Sequence, residues 1–410
     1  MNDKTLIRAE RVFDGFGIKR SQYIVISGDQ IIDIGPQSTL SESANAGFDA
    51  VVVSGEDQTL LPGLINMHTH LSFSATDRVF ENQRDESDAT KMIRIVENLH
   101  DALAVGITTV RDCGTWPRLA NPARDCVESG LLSGPRIVTS GAITTTGGHC
   151  WFCAREADNE DELRKAVRSH VKDGVNFIKL FATGGNTTPG SNALVAQYTK
   201  EQMCAAVEEA NKAGRRTASH AHATDGVRHS IAARVTTIEH CSFQSDAGIG
   251  WDDDMVDEIV AAGIYVCPTV FRGSAKNLVQ LDRELTAREQ AYMTRRQQRY
   301  TLTNRLAERG VQLISGNDAG VANCHITDFP GDLVETCIKC ELSPSTVLKS
   351  ATSTAAKALG RSDLGTVEKG KAADLLVVAG DPTTDIAAIG HPILVVARGA
   401  PTGIAGRVTT

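Results

Sequence analysis

Between residues 59 and 360, short apolar runs alternate with amphipathic helical patterns, and this alternation limits the chain to few folds. Eight runs read as strands: Leu64–His70, Ile107–Asp112, Arg136–Ser140, Val175–Phe181, Arg216–His222, Thr236–Cys241, Ile264–Val270 and Val311–Asp318. The intervening helices carry their own punctuation. DELRKAVRSHVKDG opens with acid and closes with glycine. TKEQMCAAVEEANKAG starts at Thr199 as an N-cap and ends at Gly214. SPSTVLKSATSTAAKALG begins on a Ser-Pro pair suited to a helix start. Eight strands alternating with helices imply an α/β chain folded as a closed parallel (β/α)8 TIM barrel. An open doubly wound sheet is the alternative, but its usual Gly-x-Gly-x-x-Gly fingerprint is absent.

Both ends of the chain read differently from this middle. TLIRAERVFDG, QYIVISGDQIIDIG and AVVV near the start are β-branched runs, as are ADLLVVAGD, ILVVARGA and GRVTT near the end. Residues 1–58 and 361–410 are therefore expected to build one small β-sandwich domain, with the barrel over 59–360. Ser72–Thr90 is polar and reads as a loop over the barrel mouth. The Gly, Pro and Asn content of Gly184–Gln197 suits a mobile loop. The densely charged stretch Leu281–Arg299 reads as a solvated helix.

A chain of 410 residues has room for a barrel and an accessory unit, and 41% apolar residues suffice for a core. A net charge of −8 argues against nucleic acid and anionic membrane surfaces as partners. MNDKTLIRAE lacks a signal-peptide apolar region, and no apolar stretch reaches membrane-spanning length, so the cytoplasm is the expected compartment. The ten cysteines include two CxxC pairs, Cys150/Cys153 and Cys337/Cys340. Structural zinc sites use two closely placed pairs, so these read as free thiols. Cys150 and Cys153 lie near a candidate site histidine, where oxidation could matter.

Seven of eleven histidines fall at or just beyond the C-terminal ends of expected strands: His68, His70, His149, His220, His222, His240 and His325. Barrel active sites are built on that face. His100, His170, His229 and His391 are expected at the surface or in packing. His68 and His70 stand at i and i+2 of a strand, so both imidazoles face one side and could bind one ion. His220 and His222 repeat the pattern, His240 follows, and Asp318 ends VQLISGNDAG. Lys179 interrupts the apolar run GVNFIKLFATGG. Burial disfavours the ammonium form of a lysine and leaves a nucleophilic amine. Such an amine reacts with carbon dioxide to give a carbamate, an anionic ligand able to bridge two cations. The competing reading is a lysine that snorkels to the rim. The set makes a dinuclear nitrogen-and-oxygen site; magnesium or calcium would call for more carboxylates.

LLPGLINMHTH, the strand lysine, SHAH, TIEH and SGNDAG resemble the landmarks of the binuclear branch of the amidohydrolase superfamily. The tail LGTVEKGKAADLLVVAGDP is similar to that superfamily's return into its sheet domain. TTTGGH, FIKLFATGG and the spacing of the later histidines resemble a subgroup of cytosolic Xaa-Pro dipeptidases, related carboxypeptidases and ochratoxin amidohydrolases. The resemblance implies that His68 and His70 hold the more buried of two divalent ions, with zinc expected. It implies that carbamylated Lys179 bridges both, and that His220 and His240 hold the second. Asp318 would bind the first ion and accept a proton from a bridging hydroxide. His149 and His222 fall where relatives contact substrate, and either could stabilise the oxyanion. Tyr198 and His325 are further substrate-binding candidates, and Tyr198, Arg155 or Arg272 could meet a substrate carboxylate.

The implied activity is metal-dependent hydrolysis of a small-molecule amide such as an N-acyl amino acid, a dipeptide or an ochratoxin-like compound. Carbamate or phenylurea hydrolysis, heterocycle deamination and a non-catalytic scaffold are the alternatives. A homo-oligomer is expected. Three departures bear on the substrate and leave the ligands intact. Asn317 stands where many relatives have Thr or Ser. Ala223 follows His222 where glycine is common. Asn186 and Asn192 alter the loop after Gly185.

Overall fold

The computed structural model of the chain describes residues 4–40, 47–270, 273 and 283–402. The chain opens with a meander of β1 (Lys4–Phe13), β2 (Ile18–Ser27) and β3 (Gln30–Pro36). Two further strands, β4 (Ala50–Val53) and β5 (Gln58–Pro62), run parallel to β1. Gly63 then hands the chain to β6 (Leu64–Thr69); a Cβ there would meet Thr108 Oγ1 at 2.2 Å, so only glycine passes without a shift.

The middle is α/β. β6, β7 (Ile107–Asp112) and β8 (Arg136–Val138) form one parallel sheet. A second sheet contains β9 (Ser140–Thr144), β10 (Arg155–Glu156), β11 (Phe177–Phe181), β12 (Arg216–Ala223) and β13 (Thr237–Ser245). The short β14 (Gly248–Ile249) and β15 (Tyr265–Cys267) both pair with β13. The two sheets meet in one segment, 136–144, interrupted at Thr139, whose carbonyl accepts from Asn176 N. The run expected as an eighth strand, Val311–Asp318, forms no regular ladder. It makes isolated parallel bridges, Val266↔Leu313 and Thr69↔Ala319, and the bonds Met67 N to Ser315 O and Asp318 N to His68 O. The left-handed backbone of Asp318 (φ 61°) turns the chain out of an extended path there. Regular pairing therefore yields α/β architecture with mixed sheets rather than one continuous ring.

Period-two alternation decides which side chains face the helices. Ile178 and Leu180 of β11 join a buried cluster with Val167 of the helix Glu160–Lys172 and Met203 of the helix Lys200–Lys212. Each such aliphatic side chain contributes about 1.5–3 kcal/mol on burial. Lys179 lies between them in sequence and takes the other face. Helix ends follow their caps: Asn159 accepts from Glu162 N, and Thr199 forms a capping box with Gln202.

Three expectations need correction. Ser72–Thr90 is not an open loop: it contains a helix over Val79–Asp85, and a second helix, Asp88–Ala104, begins after the Ser87 cap. The helix expected from Ser343 onward breaks into Pro344–Ser350 and Ser353–Leu359. The carbonyls of Ser350 and Ala351 turn away to accept from Ser315 N and Ile65 N, which the helical ladder could not allow. The charged helix runs Ala287–Glu308, and one face lines a cavity instead of being solvated all round.

The chain's end returns as β16 (Leu375–Ala379), β17 (Pro392–Ala397) and β18 (Ala400–Thr402). β16 pairs antiparallel with β5, which completes an eight-stranded sheet from both ends of the chain. Leu60, Leu375 and Val377 pack on one side with Ile7, Ile24 and Ile31; Leu61, Leu376 and Val378 pack on the other with Leu99 and Ile107. The run GRVTT lies outside the described residues. Among the described residues no helix is long and apolar enough to cross a membrane.

Candidate metal centre

Asp318 sits under both residues of the first histidine pair. Its Oδ1 lies 3.3 Å from His68 Nε2 and 3.0 Å from His70 Nε2. His68 is oriented from behind: its Nδ1 lies 2.8 Å from Glu239 Oε2, so this nitrogen carries the proton and Nε2 is free to face Asp318. The other Glu239 oxygen accepts from Arg111 Nη2 at 2.6 Å and from the Thr237 hydroxyl. Arg111 also donates to Met67 O and Thr237 Oγ1, and stacks over Phe177. Burial alone would raise the Glu239 pKa, but Arg111 and the His68 hydrogen bond outweigh it and hold the carboxyl below its usual range. Asp318 is held low in the same way, by His68 and His70. Burial, then the Lys179 charge, push His68 down to about 4.

His220, His222 and His240 form the other half. One ring nitrogen from each lies within 4.8 Å of the others, and His68, His240 and Asp318 make a second such trio. The two trios share His240 and are therefore contiguous. Outer partners fix the rings: His220 Nε2 donates to Gly184 O at 3.0 Å, His222 Nδ1 meets Ser242 Oγ at 3.0 Å, and His240 Nδ1 meets Thr269 Oγ1 at 2.7 Å. Burial first, then neighbouring charged groups, depress all three; His222 reaches about 3. The His149 ring centroid lies 4.7 Å from that of His220.

Lys179 Nζ is fully buried and has no hydrogen-bond partner; it lies 5.6 Å from the centroid of the Phe181 ring. His70 Nδ1 and His149 Nδ1 are also buried without a partner. A buried polar atom left unbonded is costly unless something completes it.

A cavity of about 640 Å³ gathers His68, His70, His149, His220, His222, His240 and Asp318 on its wall. Other candidates stand elsewhere. Tyr198 is buried in the core with its hydroxyl on Ala157 O, because strand β11 and its helices close over the ring. His325 is exposed and starts a short 3-10 turn away from the cavity wall. Arg155 pairs with Asp173 at the surface, and Arg272 lies outside the described residues. His170 and His229 bond backbone carbonyls, while His100 and His391 are exposed. Among the described residues no disulfide joins any of the ten cysteines; Cys150 reaches the cavity wall.

Three contributors carry no motif that singles them out in the sequence: Glu239, Arg111, and Arg299, whose Nη2 donates to the Thr269 hydroxyl behind His240. Asn317, a departure visible in the sequence, is held by two side chains. Its amide accepts from Asn66 Nδ2 and donates to buried Asp332, which ties the residue before Asp318 to β6.

An ochratoxinase of Aspergillus niger is 26% identical over 216 residues, 46% of this chain and 44% of that protein; the match thus spans less than half of the relative's length. A crystal structure of a Xaa-Pro dipeptidase with methionine bound in its active site superposes with a TM-score of 0.84 at 28% identity, covering 98% of this chain and 100% of that one. The crystal structure of A. niger ochratoxinase gives 0.83 at 22% identity, covering 97% and 95%. These likenesses fall in the subgroup that the histidine motifs resemble. Residues 59–401 match the amidohydrolase family model, and the chain belongs to that family.

Proposed function

We propose that the chain is a metal-dependent hydrolase of amide C–N bonds. The observation that carries this reading is Lys179 Nζ, buried and unbonded beside a cluster of histidines and one aspartate. Carbamylation would turn that orphan into an anionic ligand, and two cations would offset its burial. His68, His70 and Asp318 would hold one divalent ion and His220 and His240 the other, with the modified lysine shared. A nitrogen-rich set with a single aspartate suits zinc. Such ions, when bound, polarise the scissile carbonyl and make water acidic enough to attack at neutral pH.

The chain's own groups do the rest. Asp318 is kept ionised by its histidine neighbours, so it can take a proton from the attacking water and return it to the leaving amine. His222 stays neutral at physiological pH; with Ser242 Oγ donating to Nδ1, its other nitrogen carries the proton and can donate to the developing oxyanion. His149 is the second candidate for that role. The proposal includes closure of the two sheets into a (β/α)8 barrel through the 311–319 segment, supported by the bonds from Val266, Met67 and His68. It also includes division into a terminal β-domain, 1–58 with 361–410, and a barrel over 59–360.

Elemental analysis of protein expressed with added zinc should find close to two divalent ions per chain. Removal by a chelator should abolish amide hydrolysis, and zinc should restore it. Fewer than one ion per chain, with no activity regained on adding metal, would sink the reading. A screen of N-acyl amino acids, dipeptides, aryl carbamates and ureas identifies the bond; ammonia released from a heterocycle with every amide untouched would favour deamination.

A further inference from the structure

The helix Ala287–Glu308 brings three arginines, Arg295, Arg296 and Arg299, to the wall of the histidine-lined cavity. Arg296 pairs with Glu335 at 3.1 Å. Arg299 is anchored without any acid: its Nη2 donates to Thr269 Oγ1 at 3.0 Å and to the Pro268 carbonyl. Among the described residues, neither Arg299 nor Arg295 forms an ion pair. A guanidinium drawn into a cavity with no carboxylate in ion-pair contact is costly: burial, then the Arg296 charge, pull the Arg299 pKa down, and the more distant Asp318 charge opposes them only in part. An anion from outside would offset that cost.

The arrangement suits a carboxylate. Arginine offers a planar fork that binds one carboxylate through two parallel bonds. Arg299 is already fixed by Thr269, so little freedom is lost on binding. The same Thr269 hydroxyl lies 2.7 Å from His240 Nδ1, which puts the guanidinium just behind the His240 side of the centre. Its charge is also felt at His222. The wall beside His70 is different: Phe73 stacks on that ring at 4.4 Å, and Val79 and Phe80 continue the apolar lining.

We propose that Arg299, with Arg295 beside it, receives a carboxylate on the part of the substrate that lies over His222 and His240, and so selects anionic amides over neutral ones. This rests on the amide-hydrolase reading above. The competing role for Arg299 is purely structural, as a prop for Thr269 and through it His240.

Paired probes separate the two: N-acetyl-phenylalanine and N-acetyl-leucine against their C-terminal carboxamides, with the zinc-loaded enzyme. The wild type should favour the acids by about 100-fold in kcat/KM. Arg299→Met should remove most of that preference, with KM for the acids rising far more than KM for the carboxamides. Arg299→Lys should recover part of it, and Arg295→Met should shift it less in the same direction. Equal turnover of acid and carboxamide by the wild type overturns the proposal. So does an Arg299→Met loss that falls on both probes alike through kcat, the mark of a displaced His240. Calorimetric titration with the same pairs keeps the two readings apart. If no amide is cleaved, the hydrolase reading falls, and the anion subsite stands if the acid alone binds and Arg299→Met abolishes that binding; equal binding of both probes overturns it. Should Arg299→Met fail to fold by thermal melt, Arg299→Lys and Arg295→Met carry the same measurements.

Discussion

Arg111 and Lys179 are both buried cationic side chains near the floor of the site, and they are treated in opposite ways. Arg111 is saturated: Glu239, Thr237, Met67 O and the Phe177 face all engage it. Lys179 faces the Phe181 ring, but its Nζ has no hydrogen-bond partner. His170 shows a third treatment, a buried base kept neutral: Nε2 meets Ala142 O, and burial, then Arg155, push its pKa down to about 4. Pairing satisfies Arg111 within the chain, and neutrality lets His170 stay buried with one nitrogen bonded and Nδ1 not. The lysine is left unfinished, and an unfinished buried amine marks the place where something from outside belongs.

The comparison breaks most visibly at the lysine. Lys179→Ala should lower activity by several orders of magnitude and reduce metal content. Acetate or propionate should restore part of the activity by filling the gap with a carboxylate. Lys179→Arg should fail as badly, since a guanidinium neither forms a stable carbamate nor binds cations. Near wild-type turnover with full metal content in Lys179→Arg would remove the distinction between the two cations.

Arg111→Met should act on stability, since it strands the buried Glu239. A loss of about 3–5 kcal/mol in denaturant unfolding is expected. The double variant Arg111→Met/Glu239→Gln should recover part of it, because no uncompensated charge is left. A single variant as stable as wild type would mean that Arg111 does not compensate Glu239.

His170 supplies the smallest effect and a pH signature. Its folded pKa, about 4, lies below the ordinary histidine value of 6.5. Between those values the unfolded chain takes up a proton that the folded chain refuses. The stability contribution is therefore complete above pH 6.5 and is lost as pH falls toward 4, on the order of 3 kcal/mol. Urea unfolding at pH 7.5, 6 and 5 should show a shallower decline for His170→Gln than for wild type; parallel declines would contradict the neutral burial of His170.

The histidine pairs were legible because a strand puts i and i+2 on one face, and the structure brings His68 with His70 and His220 with His222 in that way. Lys179 was legible as a charge in an apolar run. Glu239 was not, because alternation should have sent it away from the face of His240. Left-handed backbone at His240 (φ 66°) and Cys241 (φ 44°) breaks that alternation, so the carboxylate and the imidazole both reach His68. No local pattern announces such a twist. Arg299 was missed because a polar helix with scattered charges looks solvated until its neighbours are known. Tyr198 was misread for the converse reason: a tyrosine beside a glycine-rich loop gives no sign that the core will claim it.

The pairing of β5 with β16 has a consequence in time. Leu60 and Leu61 emerge from the ribosome early, yet the strand that covers one edge of β5 begins only at Leu375. At ordinary synthesis rates that edge waits on the order of tens of seconds. Throughout that interval the nascent chain displays an apolar strand with open hydrogen-bonding groups, the kind of surface that recruits chaperones or other copies of itself. The sheet that β5 shares is thus completed only after the whole α/β region has been made, and a ribosome that stalls anywhere before Leu375 leaves this edge uncovered.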